Sequence, residues 1–142
     1  MRIMGLDVGD KTIGVAISDE TGLIAQGVQV IHRKNIEEDL KQLKELESRY
    51  NVEEFVVGLP KNMNGSIGPQ GEKVFKFVNK MKSCFSKPIV LWDERLTTLA
   101  AERTLLEADM SRKKRKKILD KIAAVLILQN YLNHPNSKKK EV

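Results

Sequence analysis

Two strand-like runs, Ile3–Gly9 and Ile13–Ser18, stand only three residues apart. A parallel pair needs a crossover of a dozen or more residues, so these two pair as an antiparallel hairpin. Side chains alternate between faces along a strand, which sets Ile3, Gly5 and Asp7 on one side and Met4, Leu6 and Val8 on the other. The second run divides in the same way into Ile13, Val15 and Ile17 against Gly14, Ala16 and Ser18. If the small sets share a face, Asp7 looks into open space. A face of Gly, Ala and Ser forfeits packing area unless another element comes close to it. A carboxylate taken out of water by such a strand loses hydration worth several kcal/mol by rough estimate, unless a cation or hydrogen-bond donors replace it. Asp7 is therefore the first candidate site residue. The competing reading is that it satisfies backbone donors in the turn Gly9-Asp10-Lys11.

A third run, Leu23–Ile31, follows by another short connection and completes an antiparallel meander. The period then changes. Asn35 and Glu38 form a capping-box pair, and Ile36, Leu40, Leu43, Leu46 and Tyr50 recur at helical spacing. Phe55–Gly58 reads as a buried strand, Glu72–Lys82 as a second helix with Val74, Phe75, Phe77, Val78 and Met81 on one broad face, and Pro88–Trp92 as a fifth strand. Thr97 or Thr98 can cap a helix running to about Ala108, and a last helix spans about Lys116–Leu132. The expected fold is α/β, a five-stranded mixed sheet of three antiparallel strands and then parallel ones, flanked by helices. Right-handed crossovers make the fourth and fifth strands parallel to the first. Ligands gather at the carboxyl ends of such strands, where Asp7 and Glu94 both fall.

The 142 residues suit one domain, through His134, with a basic and flexible tail at 135–142. The single thiol, Cys84, is expected to be a small buried hydrophobe. With no apolar leader and no run near the ~20 residues of a membrane span, the composition points to a reduced, cytoplasmic protein with no membrane partner. His32 and His134 have no neighbouring histidine or cysteine, which excludes a zinc motif.

Charge is localised. Seven cations between Arg112 and Lys121, against Asp120, carry a formal +6 that equals the net charge of the whole chain. Such a block on a near-neutral body favours a polyanionic partner, with a merely solvated run as the alternative. Arg112, Lys113, Lys114, Arg115, Lys116 and Lys117 are accordingly expected nucleic-acid contacts, and the segment is expected to be mobile between the last two helices. The linker Gly58–Gly71 opens at the same sheet edge as Asp7, and its glycines allow backbone amides to approach a phosphate. Lys61 and Asn62 join the expected contacts, as does Arg95 beside Glu94. Asn64-Gly65 and Gly68-Pro69 are also ordinary turn signals.

Asp120 is a third acid, with Ala123 and Ala124 one turn further along its helix. Those alanines let the helix approach the small-residue sheet face and bring Asp120 toward Asp7, with Glu94 completing the set. Three close carboxylates repel unless a divalent cation neutralises them, and oxygen donors suit Mg²⁺ or Mn²⁺, as one or two ions. Metal-assisted phosphodiester hydrolysis follows. Taken singly, Glu94 can pair with Arg95 or cap a helix, and Asp120 can be a surface residue favoured by the helix dipole.

Leu6-Asp7-Val8-Gly9, Gly58-Leu59-Pro60, Asp93-Glu94-Arg95-Leu96-Thr97-Thr98 and Asp120–Gln129 together resemble the YqgF family, also called RuvX, in motif order and spacing over almost the full length. The resemblance implies a ribonuclease H-like fold related to RuvC resolvases, and nuclease activity in maturation of the 5′ end of pre-16S rRNA or on Holliday junctions. It implies Asp7, Glu94 and Asp120 as catalytic, metal-holding acids. Asp10 and Lys61 depart from the family's usual Thr and apolar residue, which puts substrate choice in doubt. Two other classes compete: a catalytically inert nucleic-acid-binding module, and an actin- or Hsp70-type ATPase. The latter needs two copies of such a domain, and the chain holds one.

Overall fold

The computed structural model describes residues 1–96 and 111–134, apart from the side chains of Leu96, Arg112, Arg115, Lys116, Lys117, Asp120 and Lys121. Its elements are β1 (Arg2–Val8), β2 (Thr12–Ser18), β3 (Ala25–His32), α1 (Ile36–Tyr50), β4 (Val52–Leu59), α2 (Pro69–Cys84), β5 (Ile89–Asp93), a 3₁₀ turn (Glu94–Leu96) and α3 (Arg112–Leu132). They form one sheet in the order β3-β2-β1-β4-β5. β1 and β2, like β2 and β3, are antiparallel, whereas β1 with β4 and β4 with β5 are parallel. The meander and both crossovers are as the pattern requires.

The register sets Gly5 opposite Ala16 and Asp7 opposite Gly14, so the small sets do share a face. Met4, Leu6, Ile13 and Val15 point the other way, into a core shared with Leu43 of α1 and Val78 of α2. Helix α3 covers the small face, where Ala123, Ala124, Ile127 and Leu128 pack on Ile3, Ala16, Val56 and Val90. A Cβ on Gly5 would stand 2.6 Å from Leu128 Cβ and 3.2 Å from the Ala124 carbonyl oxygen. Close approach of helix and strand backbones is what the missing side chain permits.

Polar side chains fasten α3 in place. The Ala25 amide donates to Gln129 Oε1 at 2.9 Å, and Gln129 Nε2 donates to the Leu23 carbonyl at 2.9 Å. Trp92 Nε1 donates to Asn130 Oδ1 at 2.8 Å, and the Tyr131 hydroxyl donates to the buried Glu54 at 2.8 Å. At the start of β1 the buried Ser18 hydroxyl accepts from the Ile3 amide at 2.8 Å.

Some boundaries differ from the periodicity. β3 begins at Ala25 because Asp19 Oδ1 takes the amides of Leu23 and Ile24, at 2.9 and 3.2 Å, into a turn. Those two residues are exposed. Asn35 caps α1 as expected, its Oδ1 accepting from the Glu38 amide at 2.9 Å. α2 starts three residues earlier than expected, with Pro69 in the first turn, where its missing N–H costs no intrahelical bond. Cys84 is exposed rather than buried, because it is the last residue of α2, three beyond the buried Met81. The Lys-rich segment opens α3 instead of linking two helices, with Ser111 in extended conformation as N-cap. The helix expected from Thr97 or Thr98 to Ala108 and the tail 135–142 lie outside the described residues.

Candidate active site

Parallel pairing brings Leu6 level with Val57 and Gly58 level with Trp92, so the ends of β1, β4 and β5 open on one edge. Asp7 is the half-buried break in an otherwise buried run from Ile3 to Val8, so it keeps part of the water contact that full burial would remove. Glu94 follows directly from β5 at the start of the 3₁₀ turn. Between them lies Gly58, where a Cβ would meet Glu94 Oε1 at 3.1 Å and Ile127 Cδ1 at 2.5 Å. The glycine leaves the space into which Glu94 turns. Asp7, Gly58 and Glu94 line a cavity of about 220 Å³, with Val8, Gly9, Asp10, Pro60 and Gln70 completing its wall. Among the described residues its ionisable lining is carboxylate throughout.

Helix α3 brings the backbone of position 120 one turn ahead of the buried Ala123 and Ala124. The side chain of Asp120 lies outside the described residues, as do those of Arg112, Arg115, Lys116 and Lys117. Lys113 and Lys114 are exposed in the first turn of α3, outside the cavity wall.

The expected loop contacts take up structural partners. Asp93, the last residue of β5, accepts from Arg95 Nη2 at 2.9 Å and from the Arg95 amide at 2.9 Å, and Lys61 Nζ stands 3.8 Å from it. Arg95 therefore pairs with Asp93, where the sequence suggested Glu94. Partial burial pushes the Asp93 carboxyl up, but the Arg95 hydrogen bonds, with the charges of Arg95 and Lys61, outweigh it and hold the group below the usual carboxylate range. Arg95 Nη1 also donates to the Met63 carbonyl at 3.3 Å. Asn62 Nδ2 donates to Ser66 Oγ at 2.9 Å, and Gly65 takes the positive φ of 88° that its turn requires. Lys61, Asn62 and Arg95 thus brace the loop between β4 and α2 against the end of β5.

Two wall residues, Asp10 and Gln70, and Arg33 behind them were not among the expected site residues. Asp10 lines the cavity and pairs with Lys73 Nζ at 3.0 Å. Gln70, in the first turn of α2, donates to the Val8 carbonyl at 3.3 Å. Arg33 reaches behind the turn after Asp7, donating from Nη1 to the Gly9 carbonyl at 2.8 Å and from Nε to the buried Asp39 at 2.9 Å, above the Phe77 ring. Apart from Arg33 and Asp39, these partners are separated by 24 to 63 positions in the chain, where short-range spacing carries no information.

Among the described residues, a five-stranded mixed sheet in this order, with two helices on one face and one on the other, is a ribonuclease H-like fold, with Asp7 toward the carboxyl end of the central β1 and Glu94 just after the edge strand β5. The fold is shared with RuvC of Thermus thermophilus in complex with a Holliday junction substrate (TM-score 0.62, 14% identity, 100% of this chain and 99% of that one) and with a second Thermus thermophilus RuvC structure (TM-score 0.56, 13% identity, full coverage of both). The model of the RuvX family, described as a Holliday junction resolvase, matches residues 1–134, and the chain belongs to that family. A relative from Caldanaerobacter subterraneus is 63% identical over 134 residues, covering 94% of this chain and 96% of its own length, and carries the name "Putative pre-16S rRNA nuclease". Relatives from Thermoanaerobacter pseudethanolicus (60% identical, 97% of this chain and 100% of that one) and Clostridium acetobutylicum (62% identical, 94% and 98%) carry the same name.

Proposed function

We propose that the chain is a divalent-metal-dependent nuclease acting on the 5′ end of pre-16S rRNA, a hydrolase of phosphodiester bonds whose catalytic acids are Asp7, Glu94 and Asp120. The observation that carries this reading is the common cavity of Asp7 on β1 and Glu94 just after β5, beside a glycine that makes room for one of them. The name shared by relatives at about 60% identity supports the substrate.

The donor set fits the metal. A small cavity whose ionisable wall is carboxylate among the described residues, with neither histidine nor cysteine there, suits a hard cation such as Mg²⁺ or Mn²⁺. Asp7 and Glu94, with Asp120 from α3, would hold one or two ions. Bound there, the cation supplies charge neutralisation at the scissile phosphate and a lowered pKa for the attacking water. The chain's own residues orient this site. Gly58 leaves Glu94 its rotamer, Gln70 holds the end of β1 through the Val8 carbonyl, and Arg33 holds the following turn through the Gly9 carbonyl. The buried Ile127 abuts Gly58.

Cleavage of an RNA carrying the pre-16S 5′ junction, with Mg²⁺ or Mn²⁺, tests the reading. Asp7→Asn and Glu94→Gln each reduce it by at least about a hundredfold while the proteins stay folded, and a chelator abolishes wild-type cutting. Undiminished cleavage by folded Asp7→Asn protein overturns the assignment. The family's description favours a second substrate, a four-way DNA junction, and side-by-side digestion separates the two. Failure to cut either with either metal favours an inert nucleic-acid-binding module.

A further inference from the structure

Helix α2 presents a second surface that the cleft chemistry leaves unused. A groove of about 760 Å³ runs along it, walled by Arg33, Lys73, Lys76 and Lys80 above Ile36 and Phe77, and among the described residues no carboxylate lines it. Arg33 is committed to Asp39 and the Gly9 carbonyl. Lys73 pairs with Asp10, but both side chains are more than half exposed, and a water-screened pair exchanges readily for a phosphate. Lys76 and Lys80 are exposed and make no ion pair among the described residues. The concentration is local. Outside 112–121 and the basic tail the chain is formally −2, yet α2 carries four lysines against Glu72. A cationic strip on an otherwise slightly acidic body fits a polyanion.

The strip is continuous with the cleft. Gln70 lines the 220 Å³ cavity, and one turn later Lys73 reaches Asp10 on the same cavity wall. Lys76 and Lys80 extend the line, so that from Gln70 to Lys80 it covers roughly 15 Å at 1.5 Å per residue. An extended strand leaving the cleft along α2 meets these ammonium groups in turn.

We propose that the α2 groove binds the phosphate backbone of the nucleic acid flanking the cleavage position, with Lys73, Lys76 and Lys80 as the phosphate contacts. The word "cleavage" rests on the nuclease reading above, but the binding does not require cutting. Acidic protein surfaces share the charge preference; the strip's continuity with the cavity favours the strand.

The test is the salt dependence of binding to a fluorescent RNA bearing the pre-16S 5′ junction, measured in the Asp7→Asn background with chelator so that no cutting occurs. Lys76→Gln with Lys80→Gln is compared with Lys41→Gln and Lys82→Gln, which remove the same charge from exposed helix positions outside the groove. Each lost phosphate contact lowers the slope of log K against log salt by about 0.7 to 0.9. The groove pair is expected to lower it by roughly 1.4 to 1.8 and to weaken binding about tenfold at moderate salt, with the control slope unchanged. An unchanged slope in the groove variant, or an equal fall in both, overturns the proposal; an acidic protein partner predicts the former. Absence of RNA cleavage by wild type would defeat the nuclease reading and leave this slope measurement to decide the groove on its own.

Discussion

Gly58 and Glu94 share one gap at the end of the sheet, since a Cβ on the glycine would stand 3.1 Å from Glu94 Oε1. Ile127 Cδ1 would be closer still, at 2.5 Å, but it is the flexible tip of a side chain and can turn away. Gly58→Ala is therefore expected to cost about 1 kcal/mol of stability, at the low end for overpacking. Activity falls further, by at least about tenfold, because Glu94 is displaced from its place opposite Asp7. Thermal melts beside RNA cleavage rates check the contrast.

Gly5→Ala inverts it. There the obstructing atoms are Leu128 Cβ and the Ala124 carbonyl oxygen, both fixed to the α3 backbone, so the helix itself must move. A loss of about 2 to 3 kcal/mol is expected, toward the upper end for overpacking. Denaturant unfolding measures it, and a melt equal to wild type would contradict the close seating of α3 on β1.

Arg33 and Asp39 form an ion pair 2.9 Å long whose carboxylate is almost wholly buried. Removing one partner of such a pair strands the other charge, at a cost of about 3 to 5 kcal/mol. Because Arg33 remains about a quarter exposed, Arg33→Met is expected near the lower figure. The variant also loses the bond to the Gly9 carbonyl, so protection from hydrogen exchange should fall in the β1–β2 turn beyond the global change.

Asp93 supplies a pH dependence. Its folded-state pKa lies below the ordinary carboxylate value, so the stabilisation by Arg95 and Lys61 is present above that ordinary value and is lost as pH falls through the lower folded one. Asp93→Asn should melt below wild type at neutral pH, with the two curves converging as pH falls through the lowered folded-state value. Parallel melting curves across the acid range would show that the pair does not stabilise the native state.

The alternation in β1 and β2 was enough to foresee the small-residue face, and the Ala123-Ala124 step was enough to foresee what covers it. Both are properties of period, which is local. Turn chemistry was harder to read: Leu23 and Ile24 look like strand residues until Asp19 is seen to take their amides. Cys84 followed the rule for its residue type until the end of α2 turned it outward. Of the acids, the motifs marked Asp7 and Glu94, and the fold brings both to one cavity. The chain pattern did not show that Arg95 and Lys61 both pair with Asp93.

Strand order, helix faces and the motif acids follow from spacing along the chain, because steric period and the need to bury apolar stripes act between near neighbours. The cavity wall, the Arg33 tether to Gly9 and the cationic groove continuous with the cleft come from segments distant in sequence. Their geometry exists only once α1 and α2 close on one face of the sheet and α3 on the other, where packing selects which polar groups can meet.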